Sequence, residues 1–199
     1  YSNKTPNQVH FRAVTSGGLR SVPNQDYHLL RTAITLVDDT GTGELTQADV
    51  NNLFGQSPLV LATVIDDDKQ GFTGVAKPQD LSSLLTLFRL KLQSAPVSDN
   101  VLQKYHRETQ DYFKQIDAET KFMQSISYLR RPNTATVYTQ NQNEQLSFTA
   151  AQLSQIYQEK ILGKTDFTYF IIGDISRSEV EKLAKRYLAT VEIKTQARA

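Results

Sequence analysis

Thr165-Asp-Phe-Thr-Tyr-Phe-Ile-Ile-Gly-Asp-Ile-Ser-Arg-Ser-Glu-Val-Glu-Lys-Leu-Ala-Lys-Arg-Tyr-Leu188 is the most informative stretch of this 199-residue chain. Phe167 to Ile172 is dense in aromatic and β-branched side chains, the composition of a buried strand. Gly173 and Asp174 supply a turn. Ser176 followed by Glu179 forms a capping box, so a helix begins there. Val180, Leu183, Ala184, Tyr187 and Leu188 recur at helical spacing and share one face. The stretch reads as a strand that turns sharply into an amphipathic helix.

Working back from that unit, Val9, Phe11 and Ala13 alternate with His10 and Arg12, the period of a half-buried strand. Ser16-Gly-Gly18 breaks it. Asn24 is placed to cap a helix from about Gln25 to Asp39, with Leu29, Leu30, Ala33, Ile34 and Val37 on its apolar side. Gly41 and Gly43 end that helix, and Thr46 caps a short second one through Leu53. Leu59 to Ile65 and Gly71 to Ala76 predict a hairpin with a polar turn over residues 66–71. Pro78 suits a helix first turn, and Leu81, Leu84, Leu85, Phe88 and Leu92 follow at helical spacing.

Asp99 opens a longer helical pattern with Leu102, Tyr105, Tyr112, Phe113 and Ile116, carried less regularly to Leu129 and stopped by Pro132. Residues 133–147 are polar and read mostly as loop. Thr149 with Gln152 makes another capping box, for a helix carrying Leu153, Ile156, Tyr157 and Ile161 that Gly163 terminates. A last edge strand is expected near Val191–Ile193. Strands are few and not regularly interleaved with helices. That order predicts an α+β fold, a mostly antiparallel sheet with helices packed on one face, in a single domain over residues 1–199.

Composition narrows the function classes. Apolar residues make up 39% of the chain, enough for a real core, and the net charge is +1. Near-balanced charge with no basic run longer than Arg130-Arg131 argues against a nucleic-acid binder. Absence of cysteine excludes disulfides, thiolate metal sites and a cysteine nucleophile. No apolar run reaches the roughly 18–20 residues that span a bilayer. The sequence opens on Tyr1-Ser-Asn-Lys4, without a signal-peptide pattern, and enters a strand within a few residues. This reads as a piece excised from a longer polypeptide.

Several blocks, taken in order, resemble the insulinase/pitrilysin (inverted-zincin) metallopeptidase family over about Val9 to Leu188. They are the strand leading into Ser16-Gly-Gly-Leu19, the helix running into Thr40-Gly-Thr-Gly43, the hairpin strand Gly71-Phe-Thr-Gly74 leading to Pro78-Gln-Asp-Leu81, and the closing strand–helix unit. The resemblance implies the α+β fold of the mitochondrial processing peptidase and insulinase. In catalytic domains of that family the first long helix carries His-x-x-Glu-His. Its histidines bind zinc, its glutamate activates water, and a glutamate from a later helix completes the site. Positions i and i+4 serve because they lie on one helix face.

Alignment on the Gly41 turn places Thr32, Thr35 and Leu36 at the His, Glu and His positions. The chain has only His10, His28 and His106, no two within one helical turn. The later glutamate is sought near Glu108 or Asp111. The resemblance therefore implies a non-catalytic copy with no zinc or other cofactor of its own, similar to the first domain of the inactive half of long bacterial members. Its partners would be the zinc-bearing half of the same polypeptide and an unstructured peptide substrate. Its location would be periplasmic or secreted. A peptide would be gripped by strand addition, at the edge carrying Phe167, Tyr169 and Ile171 or at the hairpin 59–76.

Other motifs read as structural. Asp38-Asp-Thr-Gly-Thr-Gly43 with Asp49 has the outline of a calcium loop, but Thr40 and Thr42 replace carboxylates and Asp49 replaces the bidentate Glu. Asp66-Asp67-Asp68 reads as a solvated turn. His106 and Glu108, two apart, do not share a helix face. Tyr105, Tyr112, Phe113, Tyr128 and Tyr138 form either a peptide-binding surface or core and rim. Arg130-Arg131-Pro132 and Gln140–Gln145 read as loop. Two alternatives stay open beside the non-catalytic domain: a self-standing peptide-binding or assembly module, and a catalytic domain with a rearranged site on His28, His106 and Glu108.

Overall fold

The computed structural model describes residues 6–42, 45–54, 59–129, 142–164 and 166–189. Four strands form the main sheet: β1 (Val9–Ser16), β4 (Val60–Ile65), β5 (Lys69–Ala76) and β6 (Thr168–Gly173). Their order is β4-β5-β1-β6, and every neighbouring pair is antiparallel. Alternation along β1 is as its sequence predicts: Val9, Phe11 and Ala13 are buried, His10 and Arg12 exposed. Gly71 faces Val14 across the β1–β5 ladder at φ +152°, and a Cβ there would lie 1.9 Å from the Ala13 carbonyl oxygen.

Among the described residues there are eight α-helices. The α1 helix (Tyr27–Thr40) leads through the short β2 (Gly41–Thr42) and β3 (Leu45–Thr46) ribbon into α2 (Gln47–Phe54). After the hairpin come α3 (Leu81–Gln93), α4 (Asp99–Gln115), α5 (Ala118–Leu129), α6 (Gln142–Ser147), α7 (Ala150–Tyr157) and, last, α8 (Arg177–Tyr187). The α3 helix lies against β4 and β5, α1 packs on α7 and α4, and α8 meets α3. At the centre the Phe88 ring meets Phe11 at 5.0 Å and Phe72 at 5.3 Å, edge to face, with Tyr169 at 6.1 Å. Such pairs add to the free energy of burying the rings.

The α+β fold is as the sequence predicts, and five local features differ. A 3-10 turn at Asn24–Asp26, closed by the Asp26 N–H donating to the Pro23 carbonyl, precedes α1, which starts at Tyr27. The hairpin turn is tighter than expected, because Ile65 pairs with Gln70 and the Asp66 N–H donates to the Lys69 carbonyl at 2.8 Å. The long helix expected from Asp99 to Leu129 is two helices. Ile116 turns extended (ψ 123°), and the Asp117 carboxylate accepts the Thr120 N–H at 2.7 Å to restart the next. Part of the expected loop, Gln142–Ser147, is helical. The strand β6 is not buried on both faces: Phe170 and Ile172 are 47% and 57% exposed. It ends the described sheet and nothing described covers its outer side. Val191–Ile193, Tyr138 and Arg130-Arg131-Pro132 lie outside the described residues.

Both capping boxes of the second half are present in whole or part. Thr149 and Gln152 exchange both bonds at the start of α7, and Ser176 Oγ accepts the Glu179 N–H at the start of α8. The α7 helix continues as one π turn, Gln158–Leu162, before Gly163.

Candidate functional site

Helices α1 and α4 diverge enough to leave a cleft of about 630 Å³, closed at one side by Gln145 of α6. Residues at i, i+4 and i+8 of α1, namely Tyr27, Arg31 and Thr35, line it together with His28 and Thr32. From α4 come Tyr105, Glu108, Thr109 and Tyr112, again at helical spacing. Thr32 Oγ1 and the Tyr105 hydroxyl share a hydrogen bond of 3.4 Å across the cleft. Thr35 Oγ1 donates to the Arg31 carbonyl at 3.3 Å. Arg31 Nη1 donates to the Tyr27 hydroxyl at 3.2 Å, with the guanidinium 5.9 Å from that ring.

Thr32 and Thr35, two of the three positions that the resemblance assigns to the zinc motif, thus meet Glu108 in one cleft. Leu36, the third, is 2% exposed and belongs to the hydrophobic core. This donor set does not fit zinc, which takes imidazole, thiolate or carboxylate ligands; hydroxyls and an isobutyl group stand in their place. Among the described residues no group of three or more His, Cys, Asp or Glu is placed to hold an ion. Glu108 lies 3.7 Å from the Lys104 ammonium, one helical turn away.

His28 lines the same cleft and is buried. Burial holds its imidazole below the ordinary value; the Glu144 carboxylate opposes this and Arg31 reinforces it. His106 does not line the cleft with them, and its Nε2 is buried with no hydrogen-bond partner among the described residues. The three scattered residues His28, His106 and Glu108 are therefore not assembled into one site.

The other candidates resolve into structure. Asp38, the first position of the calcium-loop outline, is spent inside the fold: its carboxylate accepts the Thr63 N–H and hydroxyl, both at 2.9 Å, and the Lys91 ammonium. Asp49 is engaged at the start of α2, where Thr46 Oγ1 accepts the Asp49 N–H at 3.1 Å and the Asp49 carboxylate accepts the Thr46 N–H at 2.9 Å. Asp66 and Asp67 face Arg12 and Arg20 at 4.0 and 3.2 Å. Phe167, Tyr169 and Ile171 are half-buried on the inner face of the sheet, where Phe167 and Tyr169 join the Phe88 cluster. Tyr105 is half-buried in the cleft and Tyr112 is 41% exposed.

Sequence reasoning missed the buried ion pair. Lys91 is 1% exposed, and its partner network runs from Asp38 to Thr63 and on to the Tyr157 hydroxyl, 2.7 Å from Thr63 Oγ1. Burial pushes the Tyr157 phenol far up; the Thr63 bond opposes this and the Asp38 charge adds to it. The available signal was a lysine seven residues after Leu84 and three after Phe88, on the apolar face of a leucine-rich helix.

No family model matches the chain. Its sequence is 69% identical over 198 residues to the probable zinc protease PqqL of Haemophilus influenzae, a match over all of this chain and 21% of that protein. Among solved structures, the periplasmic protease PqqL of Escherichia coli superposes with a TM-score of 0.77 at 19% identity, over 97% of this chain and 21% of the other. The first half of that same protease superposes with a TM-score of 0.72 at 16% identity, over 97% of this chain and 43% of the half. The chain spans about a fifth of the length of the full-length proteins it matches. Along its entire length the chain is thus similar to one part of a probable zinc protease, and its α+β frame is the one found in PqqL and related protease halves, consistent with an insulinase-like peptidase domain.

Proposed function

We propose that this domain is a non-catalytic part of a zinc metalloendopeptidase, a single unit over residues 1–199 that helps enclose and hold a peptide while a separate zinc-bearing half of the polypeptide cuts it. The observation that carries this reading is the cleft in which Thr32 and Thr35 face Glu108 while Leu36 is turned into the core. In this reading the cleft is the place of the family's zinc site, with threonine hydroxyls where the resemblance assigns ligands. The higher likeness to the whole Escherichia coli protein than to its first half supports a place in the second half. By analogy with that periplasmic protein, the domain works in the periplasm.

Contact with sister domains is supported by the outer face of the sheet. Val60, Val75, His10 and Ile172 lie side by side across it, then Ala62, Thr73, Arg12 and Phe170. Five of those eight are apolar, and an uncovered apolar sheet face calls for a partner. Peptide is held by strand addition at an end of the sheet, on β6 with Phe167, Tyr169 and Ile171 or on β4 of the hairpin; these are the two end strands among the described residues.

The test is zinc content after dialysis against excess zinc and then buffer, with an assay on unfolded peptides. Expected are no retained zinc and no turnover. One tightly held zinc per chain, or chelator-sensitive cleavage that survives repurification, would overturn the reading. A rearranged catalytic site has one favouring observation, His28 and Glu108 in the same cleft. Replacing His28 by Asn would then abolish activity instead of leaving none to lose.

A further inference from the structure

We propose that the cleft between α1 and α4 is a pocket for the free C-terminal carboxylate of a peptide, with the last side chain held between tyrosine rings. The inference rests on the reading that this domain meets peptide, and it names the part of the peptide this site takes. The cleft's volume, about 630 Å³, falls within the range of small-ligand sites, roughly 300–1,000 Å³. Arg31 lines it and forms no ion pair with any described carboxylate, while Tyr27 steadies its guanidinium by a hydrogen bond and ring contact. A held guanidinium offers a planar fork of donors that matches a carboxylate.

A second, independent observation is Thr109. It is 7% exposed, lines the cleft, and its hydroxyl makes no hydrogen bond to a described group. The hydroxyl is accessible from the cleft and unengaged by any described group, so a ligand oxygen or amide there can hydrogen-bond to it. Tyr27 on α1 and Tyr112 on α4 present rings from the two walls, suited to an aromatic or large apolar terminal side chain. Glu108, which also lines the cleft, is paired with the Lys104 ammonium at 3.7 Å, which offsets part of its charge.

The experiment is fluorescence anisotropy of three peptides labelled at the N-terminus and ending in Phe: a free acid, its C-terminal amide, and an amide with an internal Glu. The free acid is expected to bind roughly ten-fold or more tightly than its amide, the size of a charge-assisted hydrogen bond. Arg31→Gln, an exposed position, should erase that difference with an unchanged melting temperature. Thr109→Val should weaken the free acid alone. Equal binding of acid and amide would overturn this inference and leave peptide holding intact. Equal binding of the acid and the Glu-containing amide would overturn the terminus as the ligand. Failure of all three peptides to bind would overturn both readings.

Discussion

At the residue scale, Lys91 and Asp38 matter most for stability. A 1% exposed ammonium is tolerable only with its carboxylate in place, and that carboxylate in turn anchors β4 through Thr63. Replacing Asp38 by Ala strands the charge and should cost about 3–5 kcal/mol, whereas a Lys91→Met, Asp38→Asn double variant should lose much less. Urea unfolding of the three proteins reads this directly, and equal losses would refute it. His28 sets a pH dependence. Its folded-state value lies below 6.5 chiefly because burial disfavours the cation. The unfolded chain then binds the proton more readily, so stability is complete above the unfolded value and declines as pH falls through it, until the folded imidazole also protonates. Urea midpoints measured from about pH 7.5 down to pH 5 should fall for the native chain, and the His28→Asn variant should show a flatter limb. Gly71→Ala should be among the most destabilising single changes, because its Cβ would collide with the Ala13 carbonyl at a φ that L residues rarely adopt.

At the element scale, the legible features were those written into neighbouring residues. The Thr149–Gln152 box, the Ser176 cap of α8, the alternation of β1 and the Gly41 helix stop all appear in the structure at or next to their predicted places. Thr149→Ala should therefore lower stability by about 1 kcal/mol, as loss of a helix cap does, measured by thermal melting. The break between α4 and α5 was also present locally, as Asp117 with Thr120, but the apolar periodicity across it hid the cap. Three things were not legible because they depend on distant partners. These are the Asp38–Lys91 pairing, the meeting of Thr32 with Glu108 and Tyr105, and the exposure of Phe170 and Ile172. A strand's own composition says that its side chains are apolar, not which face another part of the polypeptide covers. Phe170→Thr with Ile172→Thr should change the stability of the chain by no more than about 0.5 kcal/mol, in keeping with exposed positions. The same pair should reduce any self-association seen by size-exclusion chromatography.

At the scale of the whole molecule, β1 occupies the middle of the sheet and closes its ladders with β5, about sixty residues on, and with β6, about a hundred and sixty residues on. As the chain leaves the ribosome, Phe11 is made early, yet Phe167 and Tyr169 are needed before its aromatic cluster is complete. Contacts so far apart in sequence make folding slow. The amino-terminal strand must wait with one flank open until nearly the whole domain has been synthesised, and such open edges attract wrong partners. Chains stalled before Phe167 should be cut rapidly by protease within β1, and chains released after Tyr187 should resist. The β6 strand and the α8 helix thus act as the latch of the domain, which ties the timing of its maturation to the synthesis of these two elements.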